Sequence, residues 1–321
     1  MPRAHRPPVV HGIATTAGKR KVPSIAEAVS QKIRELQLPA DFVETVRTAH
    51  RPIADHLLAQ TAGRKLPLVV AICGCQGSGK STLAAFLKLL LDRRGKPTAI
   101  LSLDDLYLTK TERGRLARDV HPLLRTRGVP GTHDIGLGAK TLARLRSATA
   151  RSRTALPAFD KARDDRVPRD KWGFFQGRPS FILFEGWCVD ARPQPPAALA
   201  KPVNRLERDC DPEGIWRRYV NDQLGGPYQA LFAPVDLLLF MEAPSFDCVY
   251  KWRGLQEKKL RAYEKKGEGL MDGSALETFI MHYERLTRWM LEEMPARADI
   301  YLPLARDQRI RGVEIRRRSK S

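Results

Sequence analysis

The chain has 321 residues, of which 42% are hydrophobic, and its 56 Lys and Arg outnumber its 36 Asp and Glu to give a formal net charge of +20. This length can bury a large core in one elaborated domain, and the longest apolar runs, such as residues 235–244, are far shorter than a membrane span. The composition argues against a membrane-spanning protein, and the positive charge favours anionic partners such as nucleotides, acidic metabolites or nucleic acid.

Residues 1–23 predict a basic, disordered leader. They contain no Asp or Glu and include the run GKRK. An Arg-rich, acid-free start resembles a transit peptide, but Pro2, Pro7 and Pro8 argue against the amphipathic helix that such a peptide forms. We therefore expect the leader to be disordered, and we expect the protein to be cytoplasmic. Scattered cysteines fit that expectation, since they predict reduced thiols and neither a disulfide framework nor a zinc site.

Residues 24–63 predict a helical extension. Ser24 and Glu27 have the spacing of a capping box, and apolar residues from Ile25 to Leu36 recur at helical intervals. Pro39 separates this helix from a second one.

Strand and helix patterns alternate from residue 64 onward. Apolar runs predict buried strands over 68–73, 98–103, 181–184 and 235–241, and helical patterns cover 80–93, 140–148 and 274–294. This alternation predicts an α/β domain over 64–310, with a doubly wound, mainly parallel sheet and helices on both faces. Residues 109–179 read as a long, loop-rich insertion, and residues 311–321 as a basic tail.

The first strand runs into a phosphate-binding motif, G-x-x-x-x-G-K-[ST], followed by a helical pattern. Its glycines let successive N–H groups face an anion at a helix N-terminus, while the lysine reaches the β- and γ-phosphates and the serine hydroxyl holds Mg²⁺. The fold is therefore expected to be of the P-loop NTPase type, with ATP and Mg²⁺ as cofactors. The predicted cofactor-binding residues are Gly74, Cys75, Gln76, Gly77, Ser78, Gly79, Lys80, Ser81 and Thr82.

Two later strands end in carboxylates. The chain lacks the N-K-x-D motif of GTPases and the L-S-G-G-Q motif of ABC cassettes, and its second strand instead ends at Asp104 and Asp105. We expect one aspartate to cap a turn and Asp104 to accept a proton from a substrate hydroxyl as that oxygen attacks phosphorus. Glu185, after the run FILF, is expected to orient Mg²⁺ together with Ser81. Lys80, Asp104 and Glu185 are thus the predicted catalytic residues.

These three pieces together resemble the P-loop small-molecule kinases that include uridine kinase, phosphoribulokinase and bacterial pantothenate kinase. LSLDDLY (101–107) matches the element that carries the proposed base in that group, with Leu106 replacing the usual Phe. LPAFDKARDDR (156–166) resembles the group's substrate element and keeps the spacing between Asp160 and Arg166.

Further segments resemble one branch, the plant- and yeast-type D-glycerate 3-kinases. They are RGVPGTHD (127–134), PAFDK (157–161), EGW (185–187), YVNDQL (219–224), VYKWRGLQEKKLR (249–261) and YLPL (301–304). The chain departs from this branch after EGW and after FDK, both near the expected acceptor region. The resemblance implies an ATP-dependent kinase that converts D-glycerate to 3-phosphoglycerate.

A small hydroxy acid needs a cationic clamp for its carboxylate, and Arg suits this role because its guanidinium can bond a carboxylate bidentately. The predicted substrate-binding residues are Asp105, Tyr107, Arg127, His133, Asp160, Lys161 and Arg166. Arg163 lies in the same segment. Arg217 and Arg218 are candidates for a lid that closes over the phosphates. Residues 252–269 predict a charged helix with a solvated face.

Two alternatives remain at this stage. One keeps the kinase mechanism and changes the acceptor to a nucleoside or pantothenate-like alcohol, with Trp172, Phe174 and Phe175 as candidate stacking partners. The other is a nucleic-acid-stimulated ATPase, suggested by the net charge. Because the basic excess is concentrated in the tails and no recognised helicase or RNA-binding motif accompanies the loop, nucleic acid is not the expected partner.

Overall fold

The computed structural model describes residues 23–263 and 273–316. Within these ranges the strands are β1 (Leu68–Gly74), β2 (Thr98–Ser102), β3 (Arg153–Leu156), β4 (Phe159–Asp160), β5 (Asp165–Arg166), β6 (Gly173–Gln176), β7 (Phe181–Gly186), β8 (Leu237–Glu242), β9 (Ile300–Pro303) and β10 (Glu314–Ile315). Six of them form a central sheet in the order β10-β9-β8-β1-β7-β2, parallel except for β10. The four predicted strands correspond to β1, β2, β7 and β8.

Every residue of β1 and β7 is buried, as expected of central parallel strands covered on both faces. The helices of the described residues are α1 (Ile25–Glu35), α2 (Phe42–Thr45), α3 (Arg51–Ala59), α4 (Lys80–Asp92), α5 (Lys110–Asp119), α6 (Ile135–Arg146), α7 (Arg205–Cys210), α8 (Ile215–Gln223), α9 (Gln229–Phe232), α10 (Phe246–Tyr263) and α11 (Gly273–Arg297). Alternate β1 residues face two separate apolar clusters. One contains α1, α3 and α4, and the other contains α6, α9 and α11. The fold is therefore a P-loop-type α/β sheet with helices on both faces.

The N-terminal helices share a core with the sheet. Ser24 and Glu27 form the predicted capping box, with the Ser24 hydroxyl accepting from the Glu27 N–H at 3.2 Å. Val29 and Ile33 of α1, together with residues of α3, pack into the same cluster as the apolar face of α4. Extension and phosphate-loop helix thus bury one continuous apolar surface.

The region 109–179 contains more regular structure than the sequence predicts. It holds α5, α6 and two antiparallel ribbons, β3–β6 and β4–β5. The helix predicted over 140–148 begins earlier, at Ile135, because the Asp134 carboxylate caps it by accepting from the Leu137 N–H at 2.8 Å. Gly138, which weakens the helical pattern, lies where a Cβ would come within 2.8 Å of Leu106 Cδ1.

The predicted C-terminal tail needs a correction. Glu314–Ile315 form β10, and the N–H of Arg316 donates to the Asp299 carbonyl at 2.8 Å. The Arg316 guanidinium lies over the ring of Tyr301. Residues 311–316 are therefore attached to the sheet. Residues 1–22 of the predicted leader, residues 264–269 of the predicted charged helix and the last five residues lie outside the described residues. No helix among the described residues combines the length and apolarity needed to cross a membrane.

Candidate active site

The phosphate loop joins the carboxyl end of β1 to the N-terminus of α4. Gly77 has φ 79°, and a Cβ there would lie 2.6 Å from Trp252 Cβ, so only glycine fits. Gly79, at the N-cap of α4, has φ 90°. The loop backbone and the helix N-terminus together provide the N–H groups and partial positive charge that bind phosphate.

A cleft of about 490 Å³ opens beside this loop at the carboxyl edge of the sheet. Its walls come from the phosphate loop, the segment after β2, the segment around Arg127, the β4–β5 ribbon and two late helices. The lining residues are Gln37, Gln76, Gly77, Lys80, Ser81, Asp104, Tyr107, Arg127, Lys161, Trp187, Arg253, Phe279 and Tyr283. Ligands of open α/β folds bind at this edge.

Glu185 stands at the end of β7, directly behind the first turn of α4. Its side chain is buried, and Oε1 accepts from the Ser81 hydroxyl at 3.2 Å. No described residue makes a hydrogen bond to the buried Oε2. A buried carboxylate oxygen without a partner, next to a serine hydroxyl, fits a hydrated Mg²⁺ that takes its other ligands from phosphate oxygens and water.

Asp104 lies in the turn after β2 and faces the cleft. Its Oδ1 accepts from the Tyr107 hydroxyl at 3.1 Å and its Oδ2 from Lys161 Nζ at 2.6 Å. Burial alone would raise the pKa of this carboxyl, but the positive charges of Lys161 and Lys80 outweigh it and hold the pKa well below its usual range. The Asp104 charge in turn raises the pKa of Lys161. The carboxylate is therefore ionised at neutral pH.

Asp105 faces the other way. Its Oδ1 accepts from the Phe159 N–H at 2.9 Å, which fixes the start of β4. Asp104 therefore faces the cleft, and Asp105 has a structural role, as the sequence predicts for one of the two. The hydrogen bond of Asp105 holds β4, however, and does not cap the turn in which both aspartates lie. Asp105 does not line the cleft with Asp104.

Arg127 is held by a carboxylate that sequence reasoning missed. Asp164, in left-handed backbone with φ 53°, binds Arg127 through Oδ1 and Arg113 Nη2 through Oδ2 at 2.5 Å. Arg113 is buried and also donates to three backbone carbonyls. The Arg127 carbonyl accepts from the Tyr283 hydroxyl at 3.1 Å. Two arginines from different segments therefore meet one aspartate beside the cleft.

Three predicted substrate-binding residues stabilise the surrounding loops. His133 is buried, its Nδ1 lies 2.5 Å from the Tyr228 hydroxyl, and burial lowers its pKa to about 3, so it is neutral. Arg166 donates to the Tyr107 carbonyl at 2.9 Å and pairs with Asp134 at 3.2 Å. The Asp160 carboxylate accepts from the N–H groups of residues 162 and 163 and closes its own turn.

The lid prediction is wrong for Arg217. This side chain is 3% exposed, pairs with Asp211 at 3.1 Å and donates to the Leu199 carbonyl at 2.7 Å. A guanidinium enclosed in this way cannot swing over bound phosphates. Arg218 is exposed, and its lid role stays a prediction.

Arg253 on α10 lines the cleft, with its guanidinium over the ring of Phe279. This position corrects the expectation of a solvated helix face for the start of the segment 252–269, since Trp252 is also buried. The sequence held an indication of this position. The segment VYKWRGLQEKKLR resembles the D-glycerate 3-kinases, and a role as a solvated helix face does not explain that resemblance. No sequence pattern pointed to Gln37 or Tyr283.

A mainly parallel sheet with β1 at its centre, a phosphate loop entering α4, a carboxylate after β2 and another at the end of β7 define a P-loop kinase. No family model matches the chain. An uncharacterised kinase of Schizosaccharomyces pombe, mug58, is 34% identical over 226 residues, which cover 68% of this chain and 78% of that protein. The chloroplastic D-glycerate 3-kinase of Arabidopsis thaliana is 32% identical over 225 residues, but these span only 46% of the plant protein.

A solved structure of D-glycerate 3-kinase from Cryptococcus neoformans var. grubii has a TM-score of 0.67 at 25% identity, covering 83% of this chain and 98% of that one. The chain belongs to the P-loop kinase family that includes the D-glycerate 3-kinases. It is an ATP-dependent phosphotransferase that acts on an alcohol group of a small molecule.

Proposed function

We propose that the enzyme phosphorylates D-glycerate to 3-phosphoglycerate, with ATP as donor and Mg²⁺ bound at Ser81 and Glu185. The observation that carries this proposal is the pair of cations, Arg127 and Lys161, that line the cleft together with the carboxylate of Asp104. A three-carbon hydroxy acid can place its carboxylate against these cations and direct a hydroxyl toward Asp104. Relatives that carry the D-glycerate 3-kinase name support the choice of acceptor.

The chemistry is one in-line phosphoryl transfer. Asp104 takes the proton from the 3-hydroxyl as that oxygen forms a bond to the γ-phosphorus. The bond between the γ-phosphorus and the β–γ bridging oxygen breaks, and ADP leaves with that bond's electron pair. Lys80 and the N–H groups of the loop stabilise the negative charge on the transferred group and on the leaving group. Bound Mg²⁺ would neutralise phosphate charge and orient the β- and γ-phosphates.

The test measures ADP release from ATP and Mg²⁺ with D-glycerate, L-glycerate, uridine or pantothenate, and with buffer alone. Turnover with D-glycerate, and a product whose phosphorus couples to the C3 protons in NMR, is the expected result. Lys80→Ala should reduce turnover by at least about 100-fold because a charge that stabilises the transition state is lost. Asp104→Asn should reduce it by about 100-fold or more because the base is lost.

Lys171→Ala and Asp170→Asn are matched controls, since both side chains are exposed and neither lines the cleft. Turnover with another alcohol but not with D-glycerate would overturn the acceptor assignment. The nucleoside alternative is less well supported by the geometry, because its candidate stacking residues Trp172, Phe174 and Phe175 are not among the residues that line the cleft. Turnover that requires RNA would contradict the proposal as a whole.

A further inference from the structure

Asp104 accepts hydrogen bonds on both of its oxygens. Tyr107 donates to Oδ1, and Lys161 reaches Oδ2 at 2.6 Å from a segment 57 residues further along the chain. A general base must turn a free lone pair toward the proton that it removes. The ammonium of Lys161 occupies one of the directions from which a substrate hydroxyl would approach.

The side chain of Lys161 can move away from Asp104, whereas the backbone of this segment cannot. The backbone around it is fixed by the Asp160 turn on one side and by the contact between Asp164 and Arg113 on the other. The Lys161 side chain itself is 61% exposed, whereas that of Asp104 is 27% exposed. Because much of the Lys161 side chain is exposed, its flexible four-carbon chain can move the ammonium while the loop stays in place.

Protonation cannot switch this base off near neutrality, because the adjacent lysines hold the pKa of Asp104 far below that range. With ATP bound and no acceptor present, an ionised base beside the γ-phosphate would activate water. Solvent water can enter an open site and compete with the acceptor, and closure of a kinase site serves partly to exclude it. Of the two described side chains that donate to this carboxylate, Tyr107 is buried and Lys161 is largely exposed, so the Lys161 ammonium is the one that can be displaced.

We propose, on the basis of the function argued above, that Lys161 blocks the base until an acidic acceptor draws it away, and that this exchange selects acceptors with a carboxylate. The incoming carboxylate replaces Asp104 as the partner of the ammonium, and the freed Oδ2 then faces the acceptor hydroxyl. An alcohol without a carboxylate leaves Lys161 on Asp104. Lys161 therefore determines specificity through access to the base as well as through direct binding.

The experiment measures ATP hydrolysis without any acceptor in the wild type, Lys161→Ala, Lys161→Arg and Lys171→Ala. We expect Lys161→Ala to hydrolyse ATP at least about fivefold faster than the wild type, since the base becomes accessible to water. The same variant should transfer phosphate to D-glycerate with kcat/KM reduced by at least about tenfold, since a clamp charge is lost. Lys161→Arg keeps the charge and should keep hydrolysis low, and Lys171→Ala should match the wild type in both assays.

The double variant Lys161→Ala with Asp104→Asn tests whether the effect passes through the base. Its hydrolysis rate should return to the wild-type rate or below. Hydrolysis that is unchanged or slower in Lys161→Ala, or that stays fast in the double variant, would overturn the proposal.

Thermal unfolding and ADP binding of each variant verify that it folds and retains its nucleotide site. Because hydrolysis is measured without an acceptor, the result is separable from the acceptor assignment. Accelerated hydrolysis together with no transfer to D-glycerate in the wild type would leave the blocking role standing and remove only the named substrate.

Discussion

The nucleotide side and the acceptor side of the cleft are held together by different kinds of contact. On the nucleotide side, residues 74–82 are consecutive, and their shape depends on backbone conformation at Gly77 and Gly79. On the acceptor side, Arg113, Arg127 and Asp164 come from three separate segments and meet through charge. The nucleotide side should therefore lose its binding geometry when a Cβ is added to one of its glycines. The acceptor side should lose its geometry when a charge is removed.

Gly77→Ala is expected to have the largest effect. The new Cβ would lie 2.6 Å from Trp252 Cβ in a backbone with φ 79°, so the loop must shift and its N–H groups lose their aim at phosphate. ADP affinity, measured by calorimetry, should fall by about 100-fold, since each misdirected N–H forfeits a charge-assisted hydrogen bond. Gly254→Ala on α10 is the control, since among the described residues no atom outside its own helix lies within 4 Å of its new Cβ. Equal ADP affinity in both variants would refute the backbone argument.

Asp164→Asn should weaken binding on the acceptor side and leave the nucleotide side unchanged. Arg113 and Arg127 lose their shared counter-charge, repel each other and no longer hold the cleft geometry. The KM for D-glycerate should rise by about tenfold, while the KM for ATP changes by less than about twofold, because among the described residues no hydrogen bond or ion pair joins the phosphate loop to this cluster. Asp164→Glu, which keeps the charge, should restore part of the loss. Equal increases in both KM values would contradict a separate acceptor side.

The pH dependence of kcat/KM should sharpen the comparison further. A carboxyl whose pKa is depressed in the folded enzyme stays ionised as the pH falls, so Asp104 should cause no loss of activity between about pH 8 and pH 5. Its contribution to stability is likewise present above the unfolded-state pKa and is lost as the pH falls through the folded-state value. The Lys161→Ala variant loses the charge that lowers the pKa of Asp104 most, while the burial that raises this pKa remains. The loss of kcat/KM at acid pH should therefore begin at a higher pH in this variant. If the acid side of the pH profile is the same in the variant and the wild type, Lys161 does not determine the ionisation of Asp104.

Ser24→Ala should have the smallest effect and should leave both sides of the cleft intact. The variant removes the hydroxyl that caps α1, which typically stabilises a protein by about 1 kcal/mol. Denaturant unfolding should report this loss with unchanged kcat and KM values. Ser30→Ala, in the interior of the same helix, should be close to neutral. A change in KM for ATP would mean that α1 affects the nucleotide side more directly than through the core.

The same contrast explains what could be predicted from sequence. The phosphate loop, β1, α4 and the pairing of Ser81 with Glu185 follow local patterns, because consecutive residues and strand ends determine their positions. Asp164 could not be found in this way, since its role depends on two arginines that are 37 and 51 residues away in sequence. Arg217 shows the opposite error, because an arginine two residues into an amphipathic helix gave no sign that Asp211 and the Leu199 carbonyl would enclose it.

The packing of the N-terminal helices against α4 has a practical consequence for anyone who shortens this protein. Val29, Ile33, Ile53 and Leu57 cover the apolar face of the helix that begins at Lys80. An expression fragment that starts after residue 63 would leave that face in contact with water. Such a fragment should aggregate or bind hydrophobic dyes.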